Sequence, residues 1–173
     1  MPRNKKNIFL VGPTGSGKTA VGRQLARDIG LEFVDCDHEI ERRTGVEISY
    51  IFEKEGEAGF REREVDVIKA LSERDGCVIA TGGGAVLNAA NRKRIKQSGV
   101  VVYLQTTVKE QLKRTSRNRK RPLLNAGDPR EILERMAEQR APLYEEVADL
   151  SVDTSRQKVR AVAKTVREAL EQH

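Results

Sequence analysis

The chain has no tryptophan, and its three tyrosines and four phenylalanines amount to only 4% of 173 residues. That scarcity argues against a single-stranded nucleic-acid binder, which needs aromatic platforms for stacked bases. Cysteine is rarer still. Cys36 and Cys77 lack metal-ligand spacing and fall far short of a disulfide scaffold. With only two histidines the chain also argues against a zinc site, and the thiols read as small reduced residues. No stretch approaches the ~20 apolar residues a membrane span needs. The apolar run in "MPRNKKNIFLV" is too short for a secretory core and leads straight into a glycine loop. No membrane association and a cytoplasmic location are the expectations.

What is present points to an ordered domain. Hydrophobic residues are 38% and charged ones 34% of the chain, and the apolar residues come in short, regularly spaced blocks. The length suits one domain, residues 1–173, with a real core. A formal charge of +6 suggests an anionic partner: nucleotide, nucleic acid or small acid. Candidate strands are 7–11, 32–35, 77–80, 100–104 and 149–153, mostly continuous apolar runs of the kind buried on both faces of a parallel sheet. Helical spacing is expected over 18–29, about 57–74, 88–97, 107–116, 129–146 and 157–171. Such alternation predicts a three-layer α/β/α fold with a five-stranded parallel sheet and right-handed crossovers. The basic, aperiodic stretch "TSRNRKRPLLNAGDP" reads as a surface excursion, with residues 115–127 as a mobile lid.

"GPTGSGKT", Gly12 to Thr19, follows the first strand and opens the first helix, the context a phosphate-binding loop requires. Gly15 and Gly17 let the backbone approach an anion, where N–H groups and the helix amino end point at phosphates. Lys18 can reach the outer phosphates and the Thr19 hydroxyl is placed for Mg²⁺. A nucleoside triphosphate is the expected ligand.

The acceptor has to be sought beyond the carboxyl ends of the strands. "DCD" follows the second strand. Asp35 suits the hydration shell of a metal and Asp37 a hydroxyl proton, although Asp37 also fits as the cap of a helix starting at His38. "TGGGAV" follows the third strand and offers backbone access at Gly82 to Gly84, or an ordinary flexible turn. Arg61 and Glu64 share a helix face, suited to gripping a carboxylate or simply to a solvated ion pair. Arg140 is either a second cationic arm or plain surface. Arg117, Arg119, Lys120 and Arg121 in the lid fit an arginine finger or a nucleic-acid patch.

In combination, "GPTGSGKT", "DCDHEIERRTG", "FREREVDVI", "ATGGGAV", "KRPLL" and "RAPLYEEVAD" closely resemble the shikimate kinases over essentially the whole chain. The resemblance implies a nucleoside monophosphate kinase-like P-loop fold. It implies transfer of the ATP γ-phosphoryl to the 3-hydroxyl of shikimate, a step towards chorismate and the aromatic amino acids. Carried over by motif, Gly15, Ser16, Gly17, Lys18, Thr19 and Ala20 hold ATP, with Arg114 near adenine, Gln157 in the adenine loop and Arg121 on ATP from the lid. Thr19 binds one Mg²⁺ per subunit and Asp35 reaches it through water. Asp37 sits on the shikimate hydroxyls as the favoured base, so that Asp37, Lys18 and Arg121 form the catalytic set. Arg61 and Arg140 clamp the shikimate carboxylate, Glu64 supports Arg61, and Gly83 contacts the ring side. The substrate-binding region spans about 35–64, no nucleic-acid partner is implied, and a monomer is expected. The rival readings are a kinase of the same fold acting on gluconate or a nucleoside monophosphate, and a basic nucleic-acid-dependent ATPase.

Overall fold

Short apolar runs with helical segments between them can satisfy their backbone and bury both faces only as a covered parallel sheet. The computed structural model, which describes residues 7–115 and 127–173, has that arrangement. Strands β1 (Asn7–Val11), β2 (Glu32–Asp35), β3 (Cys77–Ala80), β4 (Gly99–Gln105) and β5 (Leu150–Asp153) pair in parallel in the order β2-β3-β1-β4-β5. The helices are α1 (Lys18–Ile29), α2 (Cys36–Thr44), α3 (Ile48–Ser72), α4 (Ala89–Ser98), α5 (Val108–Thr115), α6 (Pro129–Val147) and α7 (Val159–Glu171).

The period of two along each strand divides the core. Ile8, Leu10, Val102 and Leu104 face Val21 and Leu25 of α1 and Val162 and Val166 of α7. Phe9, Val11, Val101 and Tyr103 face the other way, against Ile68 and Leu71 of α3, Ile95 of α4 and Tyr144 of α6. From β1 the chain departs towards β2, and from β3 it crosses to β4 on the other side of β1. Connections that part in opposite directions open a crevice at the carboxyl edge of the sheet.

Two helical stretches exceed the sequence expectation. Residues 36–44 form α2, whose single well-buried aliphatic, Ile40, gives no readable period. The helix expected from about residue 57 begins at Ile48 and bends at Gly56, whose φ of 72° and ψ of −176° lie outside the helical region. Only glycine takes that conformation cheaply. The bend puts the two halves out of phase and hides the first half from a periodicity reading. Among the described residues, no helix is long and apolar enough to cross a membrane.

Candidate active site

The phosphate loop is built around positive φ angles at Gly12 (151°), Gly15 (79°) and Gly17 (92°). A Cβ at Gly12 would run into the Leu104 carbonyl, so β4 tolerates only glycine there. α1 starts at Gly17 with no side-chain cap and no acid in its first turn, leaving its amino end free to meet an anion. Three successive loop carbonyls are held from behind. Gln111 Nε2 donates to Thr14 O (2.8 Å), Arg114 Nη1 to Gly15 O (2.8 Å) and Thr154 Oγ1 to Ser16 O (2.9 Å). Holding the Thr14 and Ser16 carbonyls outward turns the Gly15 and Gly17 N–H groups the other way, while the Ser16 N–H donates to Pro13 O at 3.1 Å. Ser16 is fully buried, with its N–H on Pro13 O and its carbonyl on Thr154. Lys18 Nζ donates to Gly12 O (2.6 Å) and Pro13 O (3.0 Å).

Asp35 and Asp37 divide their work differently from the alternative in which Asp37 caps a helix from His38. The cap is Asp35, whose Oδ1 accepts from His38 N at 3.1 Å. The helix therefore begins at Cys36, and Asp37 is a first-turn residue. Asp35 Oδ2 accepts from Thr19 Oγ1 at 2.6 Å, tying the DCD segment to the phosphate loop. Cys36 is fully buried. Burial first, then Asp37 and Asp35, pushes its thiol well above the usual range, so it stays protonated and unreactive.

The triple glycine gives room to side chains from three directions. A Cβ at Gly82 would stand 2.9 Å from both Asp37 Oδ1 and Glu64 Oε2; at Gly83 it would stand 3.1 Å from Thr14 Oγ1 and 3.6 Å from Arg140 Nη1. At Gly84 it would overlap the Arg61 guanidinium. The backbone access expected of the motif thus also serves the protein's own acids and guanidinia. Arg61 Nη1 donates to Glu64 Oε1 (2.9 Å), and its Nε and Nη2 reach Glu57 Oε2 (3.3 and 3.2 Å). Glu64 is only 1% exposed. Burial raises its pKa, and the neighbouring Arg61 does not fully offset that push. Arg140, which the sequence left open as surface, is buried, and its Nε has no hydrogen-bond acceptor among the described residues.

One cavity of about 750 Å³ joins these parts. Its walls carry the phosphate loop, Asp35 and Asp37, Arg61 and Glu64, Gly82 to Gly84, and Arg140. Ala20, Arg114 and Gln157 line it as well. Arg114 also donates to Thr154 O at 2.9 Å and pairs with Glu110 at 3.4 Å, while Gln157 Nε2 donates to Asp153 O at 2.7 Å. Phe52, Phe60 and Met136 supply an apolar wall that sequence reasoning did not assign to the site. Gln111 and Thr154 were missed too. Only the position of Thr154 just past β5 hints at its place. The lid arginines Arg117, Arg119 and Arg121, with Lys120, lie outside the described residues.

A phosphate-binding loop sharing a cavity with two arginines, an aspartate and a glycine turn narrows the field to small-molecule kinases, and comparison with known proteins decides the family. A family model described as shikimate kinase matches residues 14–171. The chain belongs to the shikimate kinase family. A shikimate kinase of Vibrio cholerae is 53% identical over 169 residues, 98% of this chain and 97% of that one. The structure of an Acinetobacter baumannii shikimate kinase in complex with shikimate is similar with a TM-score of 0.95 at 49% identity, covering 97% of this chain and 94% of that one. A shikimate kinase from Aquifex aeolicus follows with a TM-score of 0.83 at 36% identity, over 95% and 96% of the two chains. The enzyme is thus an ATP-dependent kinase of the shikimate pathway, and the P-loop kinase fold expected from the sequence is the observed one.

Proposed function

We propose that the cavity seats shikimate with its carboxylate between Arg61 and Arg140 and its 3-hydroxyl against Asp37, and that this oxygen takes the γ-phosphoryl of ATP held on the loop from Gly15 to Ala20. The observation that carries this reading is the shared cavity of Arg61, Arg140, Asp37 and the phosphate loop. Arg140 supports it separately, because a buried guanidinium nitrogen without an acceptor is suited to receiving an anion. Asp37 orients the attacking hydroxyl and accepts its proton as the phosphorus–oxygen bond forms. Glu64 holds Arg61 from behind, Gly83 lies against the ring, and the Phe52–Phe60 pair, with centroids 4.9 Å apart, covers the ring's apolar side. Lys18 leaves the loop carbonyls for the outer phosphates, and Arg114 and Gln157 border the adenine.

The residues fit a magnesium ion. Thr19 Oγ1 and Asp35 Oδ2 offer hard oxygen donors beside the loop. Among the described residues no group of three or more His, Cys, Asp or Glu can hold an ion. Mg²⁺ would accordingly be held by the Thr19 hydroxyl, phosphate oxygens and waters, with Asp35 acting through one of the waters. Bound there, it would neutralise charge on the β- and γ-phosphates.

Residues 35–64 and the glycine turn serve the acceptor, and the phosphate loop with α5 and the loop after β5 serves the nucleotide, within one domain. Two buried free thiols and dependence on ATP fit the cytoplasm. A coupled ADP-release assay with shikimate, gluconate and a nucleoside monophosphate tests the reading. Turnover is expected with shikimate alone, and its absence with shikimate would overturn the assignment.

A further inference from the structure

The glycine turn has no side chains of its own, so its shape must be imposed from outside. Its carbonyls have partners in sequence. Gly82 O accepts from Ala85 N and Gly84 O from Leu87 N, each at 3.1 Å. Asn91 Nδ2 donates to Ala85 O at 3.0 Å and Arg92 Nη1 to Val86 O at 2.7 Å, both from α4. At Gly83 the partner comes from α6, where the Tyr144 hydroxyl donates to Gly83 O. Tyr144 is 2% exposed, its ring 5.1 Å from that of Tyr103 on β4, so the phenol has little freedom to point elsewhere. Burial pushes its ionisation well above the usual tyrosine range, which keeps it a donor at any working pH.

In a trans peptide the C=O and the following N–H point in opposite directions. A hydroxyl that fixes Gly83 O therefore also fixes the Gly84 N–H, aimed away from Tyr144. Gly84 is where Arg61 packs too closely to admit a Cβ. One turn earlier on α6, Arg140 reaches Gly83. Tyr144 and Arg140 thus project from one face of one helix onto the same glycine. We propose that Tyr144 is a positioning residue for the acceptor: its hydroxyl sets the peptide plane between Gly83 and Gly84, and with it the gap shared by Arg61, Arg140 and the substrate. The inference rests on the placement of shikimate proposed above.

Tyr144→Phe removes one oxygen and keeps the ring. The shikimate KM is expected to rise about three- to tenfold, the worth of one hydrogen bond, with the ATP KM within twofold and kcat within threefold. A merely structural role would lower thermal stability and active fraction without separating the two KM values. Should the variant fail to fold, 3-fluorotyrosine at position 144 keeps ring and hydroxyl while strengthening the donor. A shift of at least twofold in the shikimate KM alone is then expected. Unchanged KM values, or equal changes in both, overturn the proposal. Arg61→Ala serves as the control. If it leaves the shikimate KM unchanged, the acceptor placement itself is wrong and the Tyr144 role falls with it. If it raises that KM while Tyr144→Phe does not, only the Tyr144 role is wrong.

Discussion

A guanidinium can hold a carboxylate through two parallel N–H bonds, and its grip strengthens where water is excluded. Arg61 sits between Glu57 and buried Glu64, so its plane is set before any substrate arrives. Arg61→Ala is expected to raise the shikimate KM about 30- to 1000-fold, the ~2–4 kcal/mol of a desolvated charge contact, with nucleotide affinity nearly unmoved in a binding titration. Asp37→Asn removes a base and keeps the shape. Steady-state kinetics should show kcat lower by about 10²-fold or more, with a smaller change in the shikimate KM. Both residue types were legible in the sequence because D-x-D after a strand and R-x-x-E on a helix each imply a face. Arg140 was legible only through the family resemblance, since an arginine near a helix end looks the same in sequence whether it is buried or solvated.

α2 carries Asp37, and its helical form is braced from within by an acid that takes no part in the chemistry. Glu39 accepts from Arg42 Nη2 (2.7 Å) and Nε (3.0 Å) and from Arg43 Nε (3.1 Å). The Arg42 hydrogen bond chiefly, partly opposed by burial, lowers its carboxyl to about 2. A folded-state value below the unfolded one means stability that is present above about pH 4.5 and lost as pH falls towards 2. Glu64, raised by burial, works in the opposite sense, so the native acid slope is a difference between the two. Glu39→Gln should flatten the fall in melting temperature between pH 5 and pH 3, measured by thermal scans at stepped pH. An unchanged slope would place the acid sensitivity elsewhere. α2 was legible only as an alternative, a helix from His38, and the first half of α3 not at all. The former has too few buried aliphatics for a period, and Gly56 breaks the period of the latter.

For the molecule as a whole, stability and chemistry lie at opposite ends of the sheet. The strands' carboxyl ends carry the cavity. At the other end Asn7 Nδ2 donates to Leu71 O (3.5 Å) and Arg74 O (2.8 Å), and Asn7 Oδ1 accepts from Cys77 N (3.0 Å). Leu71 is fully buried there. Leu71→Ala is expected to cost about 2–5 kcal/mol in chemical denaturation and to leave the KM for shikimate and for ATP unchanged. A change in either KM would mean that the two ends are mechanically coupled.

The order of the strands and of the longer helices, the phosphate loop and the candidate residue types were determined by the sequence alone. Each depends on neighbours a few positions away: a period of two or 3.6, a glycine where φ must be positive, a lysine opening a helix. Only the tertiary structure decided that Arg140 is buried and that Gly82 to Gly84 make room for Asp37, Glu64, Arg61 and Arg140 at once. Those facts depend on segments scores of residues apart ending at one sheet edge. Their meeting is set by strand order and crossover packing, which no local pattern encodes.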